Sequence, residues 1–159
     1  MHFDEILESA DEAFSEYLRL EGEAYFGKGV FHLRNGGYPF ILMLKLAEGH
    51  VRGVVADKGG GSRIEGVMTD RELRFVKTYT YNHRGINFNY HRVGDSDKWS
   101  GEFQGQGLQY VGKTNCVITP KIGGDKRLIA LMGVEGISEI INESPLGEMI
   151  DNRRLFKLN

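Results

Sequence analysis

Leu73-Arg74-Phe75-Val76-Lys77-Thr78-Tyr79-Thr80-Tyr81 is the stretch that decides the fold. Phe75, Lys77, Tyr79 and Tyr81 fall on one side of an extended chain, and Arg74, Val76, Thr78 and Thr80 on the other. A period of two belongs to a strand with one buried face. Residues 86–93 split the same way, Ile86, Phe88 and Tyr90 against Asn87, Asn89 and His91. If Asn82–Gly85 form the turn, Tyr81 faces Ile86, Tyr79 faces Phe88 and Lys77 faces Tyr90. Each matched pair of this kind contributes about 0.2–1 kcal/mol.

The same alternation extends outward in both directions. Strands are expected at about 25–33, 40–47, 51–57, 62–69, 73–81, 86–93, 98–103 and 108–118. Turn-formers separate them, among them Asn35-Gly36-Gly37, Glu48-Gly49, Gly59-Gly60-Gly61 and Gly94-Asp95. No helix-length pattern interrupts the series, which excludes parallel βαβ units and doubly wound folds. Trp99, Gly101 and Phe103 continue the apolar face, as do Ile64, Gly66 and Met68. The second strand is apolar on both sides, with Phe40, Leu42, Leu44 and Leu46 on one and Ile41 and Met43 on the other. A strand of that kind is covered on both faces.

The cover is expected from the N-terminus. Phe3, Ile6, Leu7, Ala10, Phe14, Tyr17 and Leu18 recur at three- and four-residue steps, so residues 3–20 read as an amphipathic helix. The segment is acidic: residues 1–23 carry a charge of −7 and the rest of the chain +5. The bases of that remainder are scattered, so no nucleic-acid footprint is expected. After Pro120, residues 127–134 suit strand or helix equally, and residues 135–155 read as two short helices. The length of 159 residues and the lack of a long linker point to one domain. A single cysteine, Cys116, fits a reducing compartment, and the acidic N-terminus lacks a signal-like apolar run. A cytoplasmic protein with no membrane span is therefore expected.

Eight antiparallel strands with short turns close most simply into an up-and-down barrel, which removes exposed edges. The arrangement resembles the calycin-type barrels, lipocalins and avidins. The likeness covers residues 24–119. It rests on strand number, on the in-strand glycines Gly53, Gly66, Gly101 and Gly112, and on the segment Lys98-Trp99-Ser100-Gly101-Glu102-Phe103. The resemblance implies a small-ligand cavity inside the barrel.

Other motifs lead elsewhere only on paper. Gly107-Leu108-Gln109-Tyr110-Val111-Gly112-Lys113-Thr114 matches the phosphate-binding loop pattern letter for letter. That motif needs a helix after it, and Asn115-Cys116-Val117-Ile118-Thr119-Pro120 reads as strand. The five histidines offer no close ligand pair and Cys116 stands alone, so no metal and no cofactor is expected. Asp95 and Asp97 read as a charged turn, because the glycine and glutamate of a calcium loop are missing. No nucleophilic triad assembles, and Glu65 and Glu102, the one carboxylate pair of interest, point outward.

Lys77 stands out, because a lone ammonium on an aromatic inner face needs a partner. It would counter the carboxylate of a ligand, snorkel to the rim, or stack on Tyr90 or Trp99. The expected role is binding of a small, largely apolar or anionic ligand by Lys77, Tyr79, Phe88, Tyr90, Trp99 and Phe103. The alternatives are a protein partner held by the acidic helix or outer barrel face, and an enzyme on a barrel scaffold.

Overall fold

The computed structural model describes residues 8, 12, 13, 15–80, 84–105 and 111–120. Eight strands follow in chain order: β1 (Glu23–Leu33), β2 (Gly36–Ala47), β3 (His50–Asp57), β4 (Gly60–Met68), β5 (Glu72–Tyr79), β6 (Gly85–Arg92), β7 (Lys98–Gln104) and β8 (Val111–Pro120). Each pairs antiparallel with the next, and β8 returns to pair with β1, closing the barrel. The closing seam runs from Tyr25 opposite Pro120 to Phe31 opposite Thr114. Two-residue connections join the first four strands. At Glu48-Gly49 both residues have positive φ, 51° and 82°, the conformation that matches strand twist in a tight hairpin.

Alternation places the faces as the sequence predicts. Phe75, Tyr79, Phe88, Tyr90, Trp99 and Phe103 all belong to one buried cluster inside the barrel, with Phe31, Phe40, Leu42, Leu44 and Ile64. Aromatic rings fill much of it. Phe75 stacks on Phe88 at 5.1 Å between centroids, Phe88 on Phe103 at 5.5 Å, and Phe31 meets Phe103 edge-on at 5.7 Å.

The register between β5 and β6 differs from the expectation. Lys77 lies opposite Ile86, Phe75 opposite Phe88 and Leu73 opposite Tyr90. The expected register assumed a turn at Asn82–Gly85 with β5 running to Tyr81. Instead β5 ends at Tyr79, so the connection is longer and the pairing slips by an even number of residues. An even slip changes partners and preserves faces, because side chains alternate with period two. Tyr81 and the start of the expected last strand, residues 108–110, lie outside the described residues. So does the expected helical tail at 135–155.

Strand β2 is buried on both faces. Ile41 and Met43 point outward, in register with Ala56 and Val54 of β3, yet all four are buried. Among the described residues, Glu8, Glu12, Ala13 and residues 15–17 are helical. Ala13 and Tyr17 are fully buried. Glu16 pairs with Arg63 on the outer face of β4, and the Lys45 ammonium of β2 lies 4.9 Å from the Tyr17 ring centroid. These contacts seat the helical residues on the outer wall of β2–β4. The remainder of the expected helix at 3–20 lies outside the described residues.

A barrel of this radius needs sharply coiled strands, and glycine supplies the room. Gly53, Gly66 and Gly101 face inward where a neighbouring backbone crowds them. A Cβ on Gly101 would sit 1.7 Å from the Asn89 carbonyl oxygen. One on Gly53 would sit 1.9 Å from that of Met43, and one on Gly66 1.9 Å from that of Arg74. No side chain fits without moving backbone. Gly101→Ala is therefore expected to destabilise the protein by about 3 kcal/mol or more, at the upper end for overpacking. Ser100→Ala, on the outer face, should stay within about 0.5 kcal/mol of the parent. Chemical denaturation of the two variants checks this, and equal midpoints would refute it.

Candidate ligand-binding site

The two ends of the barrel differ. At the end carrying the β1–β2 and β3–β4 turns, polar groups are sealed inside. Lys77 on β5 points into the lumen and is 2% exposed, and Asp57 at the end of β3 is fully buried. The Lys77 ammonium bonds directly to an Asp57 carboxylate oxygen and donates to the Tyr79 hydroxyl at 3.0 Å. The Tyr79 hydroxyl donates to the same carboxylate oxygen at 2.9 Å, and the Gly59 amide donates to the other at 2.7 Å. The ammonium also lies 4.4 Å from the Tyr79 ring centroid, 4.9 Å from Phe31 and 5.6 Å from Phe88. Burial pushes the Lys77 ammonium below its ordinary pKa, and Asp57 offsets part of that shift. The rings around Lys77 are thus not the expected Tyr90 and Trp99, a direct result of the β5–β6 register.

Tyr90 lies deeper, where its hydroxyl shares a 2.8 Å hydrogen bond with Thr114 Oγ1. Cys116 is beside it, and burial pushes that thiol up to about 12. Phe88 and Phe103 form the aromatic floor between the ends. Of the six residues expected to bind ligand, Lys77, Tyr79, Phe88, Tyr90 and Phe103 are packed within the barrel. Trp99 is buried as well, and it lines a recess.

That recess lies at the opposite end, where β1 begins and β8 finishes. It has a volume of about 420 Å³ and is lined by Tyr25, Leu46, Met68, Trp99, Ile118 and Pro120, with Thr69, Asp70, Arg92 and Asp97 as its polar groups. Trp99 and Ile118 are each 4% exposed and form its apolar base. Arg92, an inward position of β6, ties the rim together. Its Nε donates to the Ser96 carbonyl at 2.8 Å, one terminal nitrogen to Asp70 at 3.0 Å and the other to the Asp95 carbonyl at 3.1 Å. Arg71 adds a second tie, to Asp95 at 3.0 Å.

No protein-family model matches the chain, and no curated protein matches its sequence. The case for a site therefore rests on geometry.

The phosphate-loop pattern has no such geometry over the part described. Val111–Pro120 is continuous strand, and Lys113 points outward to pair with Glu102 of β7. Among the described residues, no group of three or more histidine, cysteine or acidic side chains is placed to hold a metal ion. No helix among them is long and apolar enough to cross a membrane.

Two residues of these ends were not singled out from sequence. Asp57 has the same parity as Val51, Gly53 and Val55, and Arg92 the same parity as Phe88 and Tyr90. A charge at an inward position was the available signal in both.

Removing one partner of a buried ion pair strands the other charge. Lys77→Met is expected to cost about 3–5 kcal/mol, and Lys77→Met combined with Asp57→Leu to recover most of it. Urea denaturation of both variants tests this; an unchanged Lys77→Met midpoint would show that the pair contributes nothing.

The raised Cys116 pKa predicts a thiol that resists iodoacetamide at pH 9 until the chain is unfolded. The sign of the linkage follows. The unfolded thiol titrates near 9.0 and the folded one near 12. The associated stability is fully present below pH 9 and is lost as pH rises through that window. Rapid alkylation of the folded protein at pH 9 would contradict the burial.

Proposed function

We propose that this chain is a calycin-like binding barrel whose ligand, small and largely apolar, seats in the recess over Trp99. The observation that carries the reading is the asymmetry of the two ends. Among the described residues, one end holds the buried Lys77–Asp57 pair, while the other opens as a concave, mostly apolar recess of about 420 Å³. That volume falls within the range of small-molecule sites, which are apolar clefts with a few fixed polar groups. Arg92 and its bonded turns supply the fixed rim. Trp99 supplies the base, and the packed side chains Phe88, Tyr90 and Phe103 hold that base rigid. Lys77 and Tyr79 belong to the structural end on this reading. The role on this reading is binding.

Trp99 is the one tryptophan of the chain, so its indole N–H gives a single reporter resonance in a nitrogen–proton correlation spectrum. Titration with 3-phenylpropanol, a neutral probe of suitable size, is expected to shift that resonance saturably. Leu46→Arg, which places a charged chain across the recess, should abolish the shift while leaving the fold intact. A resonance that does not move, or that moves equally in Leu46→Arg, would reject the recess as the site.

A further inference from the structure

The polar inventory of the recess specifies the charge of what it receives. Three side chains charged at neutral pH line it: Asp70, Arg92 and Asp97. Arg92 is committed, with its three nitrogens donating to the Ser96 carbonyl, Asp70 and the Asp95 carbonyl. Asp70 is committed in turn, with one oxygen on Arg92 and the other facing Arg71 at 3.8 Å. Thr69 Oγ1 already accepts from the amides of Arg71 and Glu72 at 3.3 and 3.1 Å. The Asp97 backbone carbonyl accepts the Ile118 amide at 2.9 Å, which fixes Asp97 at the rim two residues before Trp99. Its carboxylate makes no hydrogen bond or ion pair among the described residues, so it is the uncommitted charge of the recess. Glu23, two residues before Tyr25 on β1, adds to the same sign: burial first, and then the Glu23 carboxylate, raise the Tyr25 hydroxyl above its ordinary pKa.

We infer that the recess selects a cationic amphiphile, a small amine whose apolar body rests on Trp99, Met68 and Ile118 and whose ammonium meets Asp97. The indole adds a cation–π attraction for the same group, since an ammonium is drawn to an aromatic face within about 6 Å. The anion expected from the sequence was motivated by Lys77. That charge sits at the other end of the barrel and is matched by Asp57. The inference rests on the recess being the binding site proposed above, and adds to it the chemical class of the ligand.

The test uses three probes with one apolar body: 3-phenylpropylamine, 3-phenylpropanol and 3-phenylpropanoate. Each is titrated into the full chain at pH 7 and followed by the Trp99 indole resonance. The amine is expected to bind about three- to tenfold more tightly than the alcohol, the scale of one exposed charge contact with an aromatic contribution, and the carboxylate more weakly still. The preference should shrink in 0.5 M salt. Asp97→Asn should bring the amine down to the alcohol's affinity and leave the alcohol unchanged. Equal binding of all three, tighter binding of the carboxylate, or an amine preference that survives Asp97→Asn would each overturn the inference while leaving the recess as the site. A resonance indifferent to all three probes would remove the binding reading and the inference with it.

Discussion

Barrel closure is the constraint on which the rest of this structure depends. Once β8 pairs with β1, every strand has two neighbours and the lumen has a fixed small radius. A small radius crowds backbone on the inner wall, and only glycine is compatible with it at Gly53, Gly66 and Gly101. Large rings from other inward positions fill the lumen. Phe31, Phe75, Phe88, Tyr90 and Phe103 thus form one contiguous cluster. Small and large inward residues are two halves of one packing solution, consistent with the tapered interiors of small barrels.

Closure also explains why charge inside the barrel is confined to its ends. Two-residue hairpins bring strand termini close together, and there an inward side chain meets turn backbone that can solvate it. Asp57 accepts the Gly59 amide of its own turn while holding Lys77, so the pair is bonded on all sides. Buried pairs of this kind seldom add much net stability over apolar residues; their effect is on which arrangement is allowed. Here the pair links β3 to β5 across β4, an arrangement that a slipped register would break. At the other end Arg92 plays the corresponding part against exposed turns, and its bonds span the β4–β5 and β6–β7 connections.

The faces of the strands were legible because they depend on parity alone. Phe75, Phe88, Trp99 and Phe103 could be placed inside from period two without knowing any pairing. The partners were not legible, because register depends on where a strand stops. Nothing in Thr78-Tyr79-Thr80-Tyr81 marks Tyr79 as the last paired residue. The role of Lys77 followed the same division. Its inward direction was a matter of parity, whereas its partner Asp57, the last residue of the expected strand 51–57, sits across another strand. The recess over Trp99 was illegible for a third reason. It is assembled from the ends of β1, β2, β4, β6, β7 and β8, which no local pattern brings together.

The closing seam has a consequence for how the chain is made. Among the described strands β1 leaves the ribosome first and β8 last, and each must find the other to complete the sheet. Contacts so distant along the chain are slow to form, because the entropy of the intervening loop is lost before the contacts reward it. Throughout synthesis of β2 to β7 the nascent sheet therefore carries two raw margins, with the aromatic lumen open between them. A polypeptide stalled before Pro120 would expose both an unpaired strand edge and the aromatic lumen.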